Sequence, residues 1–142
     1  MNKPTHPVEL ICCAIATQEG WFGPASNIPV MRNNPGDLRF AHQANATRPD
    51  GTTYGNLAAE PVAVFTCPET GICGLFRDIW AKVAAGETLA QMISVYAPPN
   101  ENNTSAYLED VLQWTGLPAN VPILQLLPPL VKFPLTEPTE VA

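Results

Sequence analysis

Positive charge is what this sequence has least of: seven lysines and arginines against thirteen acidic residues in 142, a net charge of −6. A protein that grips a duplex neutralises phosphates with Lys and Arg, so nucleic acid binding is excluded as the main task. Histidine is nearly absent, with only His6 and His42, and the four cysteines form no CxxC pair. No metal site and no cofactor are expected from such a set. No apolar run approaches the eighteen or so residues that a bilayer span needs, so no membrane association is expected. The opening Met1-Asn2-Lys3-Pro4-Thr5-His6-Pro7 lacks the basic-then-apolar pattern of a classical secretory signal.

What remains is 46% apolar, enough for one folded domain of this length. Val8, Ile11, Cys12, Ile15 and Ala16 recur at helical spacing, Pro7 suits a first turn, and Gly20 is a natural stop. Between residues 20 and 66 the turn signals Gly-Pro, Asn-Asn-Pro-Gly and Pro-Asp-Gly replace helical periodicity. A short sheet joining Arg39–His42 to Val62–Phe65 across Pro49-Asp50-Gly51 is expected there. From about residue 69 to Gly86 the stripe Ile72, Leu75, Phe76, Ile79, Trp80 and Val83 predicts a central core helix, with Trp80 as packing. Thr88-Leu89-Ala90-Gln91 is a capping box, and Asn103 or Thr104 caps a further helix carrying Tyr107, Val111 and Trp114. The reading is α+β: mostly helical, with a small β-containing lobe after the first helix. Residues 1–118 form the domain, and 119–142 a Pro-rich C-terminal extension with a short helical turn near Ile123–Leu127, packed on the domain or frayed.

Glu19 is the sharpest candidate for chemistry. It continues the inward stripe of the first helix, four residues past Ile15, among uncharged and aromatic neighbours in Gln18-Glu19-Gly20-Trp21-Phe22. Partial burial and the negative end of the helix dipole both disfavour ionisation. A carboxylic acid that stays protonated near neutral pH is what glycosidic cleavage requires, because the leaving oxygen must receive a proton. The competing reading is a helix-terminal Glu that caps loop N–H groups or reaches water. Arg32-Asn33-Asn34-Pro35-Gly36-Asp37-Leu38-Arg39 offers amides that suit sugar hydroxyls or bond only their own loop. Tyr96-Ala97-Pro98-Pro99-Asn100-Glu101-Asn102-Asn103-Thr104 adds an aromatic, a rigid elbow, a carboxylate and more amides, part of which helix capping explains.

A helix ending in Glu19, the Asn33-Asn34-Pro35-Gly36 loop, and the Tyr96-Ala97-Pro98-Pro99-x-Glu101-Asn102-Asn103-Thr104-x-x-Tyr107 segment together resemble a group of phage virion proteins and related bacterial proteins. That group is similar to the soluble lytic transglycosylases of the lysozyme-like superfamily, which cleave peptidoglycan. The resemblance covers about residues 8–117. It implies a lysozyme-like fold with a cleft between two lobes, Glu19 as catalytic acid/base, and Tyr96 as the cleft tyrosine near it. Gln18, Trp21, Asn33, Asn34, Arg39, Tyr96, Glu101, Asn102 and Asn103 are the candidate glycan-binding residues. Gly20 stands where transglycosylases carry Ser, their Gly-Leu-Met-Gln segment is absent, and related virion proteins often carry Asn at the position of Asp37.

The expected function is cleavage of the MurNAc–GlcNAc bond, of lytic transglycosylase or muramidase type. One carboxylate suffices for the first, whereas hydrolysis wants a second from Asp37, Asp50, Glu60 or Glu101. Expected partners are bacterial peptidoglycan and other virion proteins, with the chain a monomer, carried on a virion or delivered to the periplasm and cell wall. Two alternatives stand beside this. One is a non-catalytic virion structural or wall-binding module of the same fold, which the acidic balance favours because many wall-degrading enzymes are cationic. The other is a cysteine peptidase pairing Cys73 or Cys13 with His42, Cys73 being placed in the first turn of the central helix. Cys67 and Cys73 could bridge in an oxidising compartment, and free thiols are the favoured reading because no classical secretory signal argues for export.

Overall fold

The computed structural model describes residues 3–99 and 103–129. The order along the chain is α1 (Pro7–Glu19), α2 (Ile28–Met31), β1 (Ala46–Thr47), β2 (Val64–Phe65), α3 (Pro68–Ala84), α4 (Leu89–Tyr96), α5 (Thr104–Thr115) and a 3-10 turn at Ile123–Leu126. The protein is α+β, with far more helix than strand and one small antiparallel pair among the described residues. No helix among the described residues is long and apolar enough to cross a membrane.

Local chemistry sets the helix ends. The His6 ring nitrogen accepts from the Val8 N–H at the start of α1, next to Pro7. At its other end Gly20 adopts φ +89°, and the Gly20 and Trp21 N–H groups bond back to the Thr17 and Ala16 carbonyls. This left-handed stop satisfies two carbonyls and leaves Glu19 as the last helical residue. Thr88 and Gln91 cap α4 reciprocally, and Asn103 Oδ1 accepts from Ala106 N–H to open α5.

The main core lies where α1 packs against α3 and α5, and α5 against α4. Val8, Ile11, Ile15, Ile79, Val83, Leu89, Met92, Ile93 and Val111 are all essentially buried there. The stripe on α3 is wider than its neighbours can cover. Ile72 and Trp80, expected in the core, lie at its rim, 39% and 43% exposed, with Trp80 tilted against the His6 ring. Ile123 is fully buried in this same core, and its N–H bonds the Glu87 carbonyl while Ala90 N–H bonds the Ala119 carbonyl. Residues 119–127 therefore close the domain beside α4, while the chain from 130 on lies outside the described residues.

The small lobe has its own core of Phe40, Ala46, Ala63 and Phe65. Residues 61–65 run through its middle. On one side Ala46 pairs with Phe65 and Thr47 with Val64. On the other, Arg39 bridges Val62, and Phe40, Ala63 and Phe65 N–H groups bond the carbonyls of Pro61, Leu38 and Arg32. Arg48 ties the intervening loop down. It is buried, forms a bidentate pair with Glu60 at 2.8 and 2.9 Å, donates to the Tyr54 and Gly55 carbonyls, and lies over the Phe40 ring. This lobe docks on α3 through Gly71: a Cβ there would sit 1.7 Å from the Asn33 carbonyl oxygen, so only glycine admits the approach.

Candidate active site

The two lobes leave a cleft of about 420 Å³ between them. Glu19 enters it from the end of α1, Gly36–Arg39 from the small lobe, Asp78 and Lys82 from α3, and Val95, Tyr96 and Pro98 from the end of α4. Glu19 is half-buried, and its Oε1 accepts from the Tyr107 hydroxyl of α5 at 3.1 Å. Burial first, then the negative charge of Asp37, push its pKa from an ordinary 4.5 up to about 7, while the Tyr107 hydrogen bond pulls the other way. The carboxyl can thus hold a proton near neutrality and release it without leaving the range in which both forms exist. Burial and the Glu19 charge likewise raise the Tyr107 phenol, which remains a donor.

Asp37 is the second carboxylate of the cleft. Its backbone sits at φ +50°, a left-handed conformation, with its N–H on the Asn34 carbonyl. One carboxylate oxygen, Oδ1, is buried and has no hydrogen-bond partner among the described residues. Burial raises its pKa, and the guanidinium groups of Arg32 and Arg39 pull it back. Of the other acids weighed from the sequence, Glu60 is held by Arg48 and Asp50 by Thr52.

Across the cleft, the Tyr96 hydroxyl donates to Asp78 Oδ2, and Asp78 Oδ1 accepts from Lys82 Nζ at 3.2 Å. The Lys82 ammonium also lies 5.9 Å from the Tyr96 ring centre. Tyr96 therefore lines the cleft but bonds Asp78, and the tyrosine on Glu19 is Tyr107. Burial and the Asp78 charge raise the Tyr96 phenol far above its usual range.

The asparagine loop corrects the sequence reading in physical terms. Asn34 is fully buried; its Nδ2 donates to the Leu38 and Ala63 carbonyls, and its Oδ1 accepts from Leu38 N–H, each at 2.9 Å. Asn33 Nδ2 donates to the Phe65 carbonyl at 3.0 Å. Both amides complete the pairing of the loop with residues 61–65, leaving Asn34 nothing to offer a glycan. What the loop delivers to the cleft is Asp37.

The other candidates divide. Arg39 lines the cleft and donates to the Glu60 carbonyl. Gln18 is exposed and donates to Asp110 Oδ2 at 3.2 Å, in a separate groove with Thr17 and Trp114. Trp21 packs against the helical core, and Asn103 is the cap of α5. Glu101 and Asn102 lie outside the described residues. Asp78, Lys82 and Tyr107 were missed. The signal for Tyr107 was its place at the end of the Tyr96–Tyr107 motif, and for Asp78 and Lys82 their i,i+4 spacing on the central helix.

The cysteines form no catalytic pair among the described residues. Cys73 is exposed in the second turn of α3, one turn later than expected, and Cys67 is the half-buried N-cap of that helix. Burial raises the thiols of both Cys12 and Cys13. His42 interacts with Asn56 and Phe40. All four thiols are free, and no group of acidic, His or Cys side chains among the described residues could hold a metal ion. Compared with protein-family models, curated proteins and solved structures, the chain matches none of them.

Proposed function

We propose that this protein cleaves the glycosidic bond between MurNAc and GlcNAc in peptidoglycan, in a lysozyme-like cleft with Glu19 as general acid/base. The observation that carries the reading is a half-buried glutamate, held near pH 7, on the wall of an open cleft faced by a second carboxylate. Glu19 protonates the leaving glycosidic oxygen. In the transglycosylase course its carboxylate then takes the proton of the muramyl C6 hydroxyl, whose oxygen closes an anhydro ring. In the muramidase course water supplies the new C1–O bond, and Asp37 is the carboxylate available to assist it. The resemblance of the Glu19, Asn33–Gly36 and Tyr96–Tyr107 segments to virion-borne wall-degrading proteins supports the same substrate.

The net charge of −6 favours a second reading, a wall-binding module of the same fold without turnover. Release of dye from covalently labelled sacculi separates the two. The enzyme reading expects release by the native protein and none by Glu19→Gln, which keeps an acceptor for Tyr107 but has no proton to give. Sedimentation with sacculi in the absence of any release would favour the module.

A further inference from the structure

A second pocket of about 420 Å³ adjoins the Glu19 cleft and shares Leu38, Ala41, Gln43 and Asp78 with it as common wall. It runs along α3 past Gly74 and Cys73, under the loop 41–45 of the small lobe. Its volume falls within the range of small-ligand sites. The wall is prebuilt rather than loose. Gln43 donates to the Arg39 carbonyl and accepts from Ala41 N–H, both at 2.8 Å, and the Asn45 carbonyl accepts from Thr66 N–H at 3.0 Å. Two polar side chains on this wall, the Arg77 guanidinium and the Asn45 amide, have no protein partner among the described residues. The wall also carries Glu69 and Asp78, the latter engaged by Tyr96 and Lys82; the Arg77 cation suits a carboxylate attached to a small apolar backbone, and a free amide suits a peptide group.

If the cleft holds a muramyl sugar, as proposed above, the peptide stem on its lactyl group must leave the cleft within a few bonds. The shared wall makes this pocket the adjoining exit. We infer that the second pocket seats that acidic stem peptide, with Arg77 holding a stem carboxylate and Asn45 a stem amide. The inference rests on the peptidoglycan reading for its substrate, and on the pocket's own geometry for the site.

The test compares peptide-bearing glycan strands with the same strands stripped of stems by an amidase. Arg77→Gln is expected to raise KM on the peptide-bearing strands roughly tenfold, the loss of one charge-assisted hydrogen bond, and to leave the stripped strands unchanged. The KM difference between native protein and variant should shrink as salt is raised. An equal effect on both strands, or none on either, overturns the inference. A soluble tripeptide of alanine, γ-linked glutamate and a diamino acid, titrated into the native protein, gives a readout free of catalysis. Amide NMR shifts at residues 43–45 and 73–77, lost in Arg77→Gln, support the pocket; no shift there overturns it. Native protein that cleaves neither strand would sink the enzyme reading, while the tripeptide titration still decides the pocket.

Discussion

Replacing Glu19 by glutamine should make the protein more stable at neutral pH and leave it unchanged in acid. In the unfolded chain this carboxyl ionises near 4.5, whereas in the fold it keeps its proton to about pH 7. Between those values the folded state binds the extra proton, so stability is greatest below 4.5, falls as pH rises, and levels off above about 7. At about 1.36 kcal/mol per pH decade this window corresponds to roughly 3.4 kcal/mol. The cleft is open to water and Glu19 is only half-buried; screening brings the expected gain to roughly 1–2 kcal/mol, a few degrees in Tm. The substituted amide is neutral at every pH and can still accept from Tyr107, so the change removes the buried charge without removing the hydrogen bond. Urea denaturation followed by tryptophan fluorescence at pH 4, 6 and 8 checks this. The variant's advantage should be absent at pH 4 and grow to its full value by pH 8. An advantage of the same size at pH 4 and 8, or a less stable variant at pH 8, would refute the reasoning.

Two substitutions should move the alkaline limb of the cleavage rate in opposite directions. Asp37→Asn removes the charge that helps hold the Glu19 proton, so the limb shifts to lower pH; Tyr107→Phe removes the bond that favours the carboxylate, so it shifts to higher pH. Shifts in the same direction would contradict the assigned couplings. Asn34→Ala leaves two backbone groups, the Leu38 N–H and the Ala63 carbonyl, without partners and should cost about 2–4 kcal/mol in denaturant unfolding; a cost below about 0.5 kcal/mol would mean that the amide is not a lock. Gly71→Ala forces a methyl onto the Asn33 carbonyl, and is expected to loosen the small lobe first, read as faster amide exchange at Ala63 and Phe65 than in α1.

The helices were legible because their signals are local. Gly20 after the Glu19 turn and the Thr88–Gln91 box act within a few residues of themselves, and the ends of α1 and α4 fall where those residues put them. The asparagines were not legible in the same way. An amide looks alike whether it meets a sugar or a backbone carbonyl, and the partners of Asn34 and Asn33 include Ala63 and Phe65, about thirty residues away and brought near only by the small sheet. The same holds for the tyrosines. Both are half-buried on neighbouring helices, and it is the packing of α5 against α1 that gives Tyr107, not Tyr96, to Glu19.

The electrostatics of Glu19 divided along the same line. Its burial followed from the helical stripe, but the charge that adds to it comes from Asp37, whose approach depends on how the lobe seats on Gly71 and Leu75 of α3. Arg48 shows the limit most plainly. Nothing near it in the chain marks it as buried, yet its pair with Glu60 and its bonds to Tyr54 and Gly55 hold the loop between the strands.

The central claim is that Glu19 delivers the proton that breaks a glycosidic bond in peptidoglycan. Mass spectrometry of the soluble products from purified peptidoglycan, with native protein and with Glu19→Gln side by side, tests it most directly. Muramyl-ended fragments from the native protein alone are the expected result, anhydro ends marking transglycosylation and reducing ends marking hydrolysis. Fragments from both proteins in equal yield, or from neither, would contradict the account.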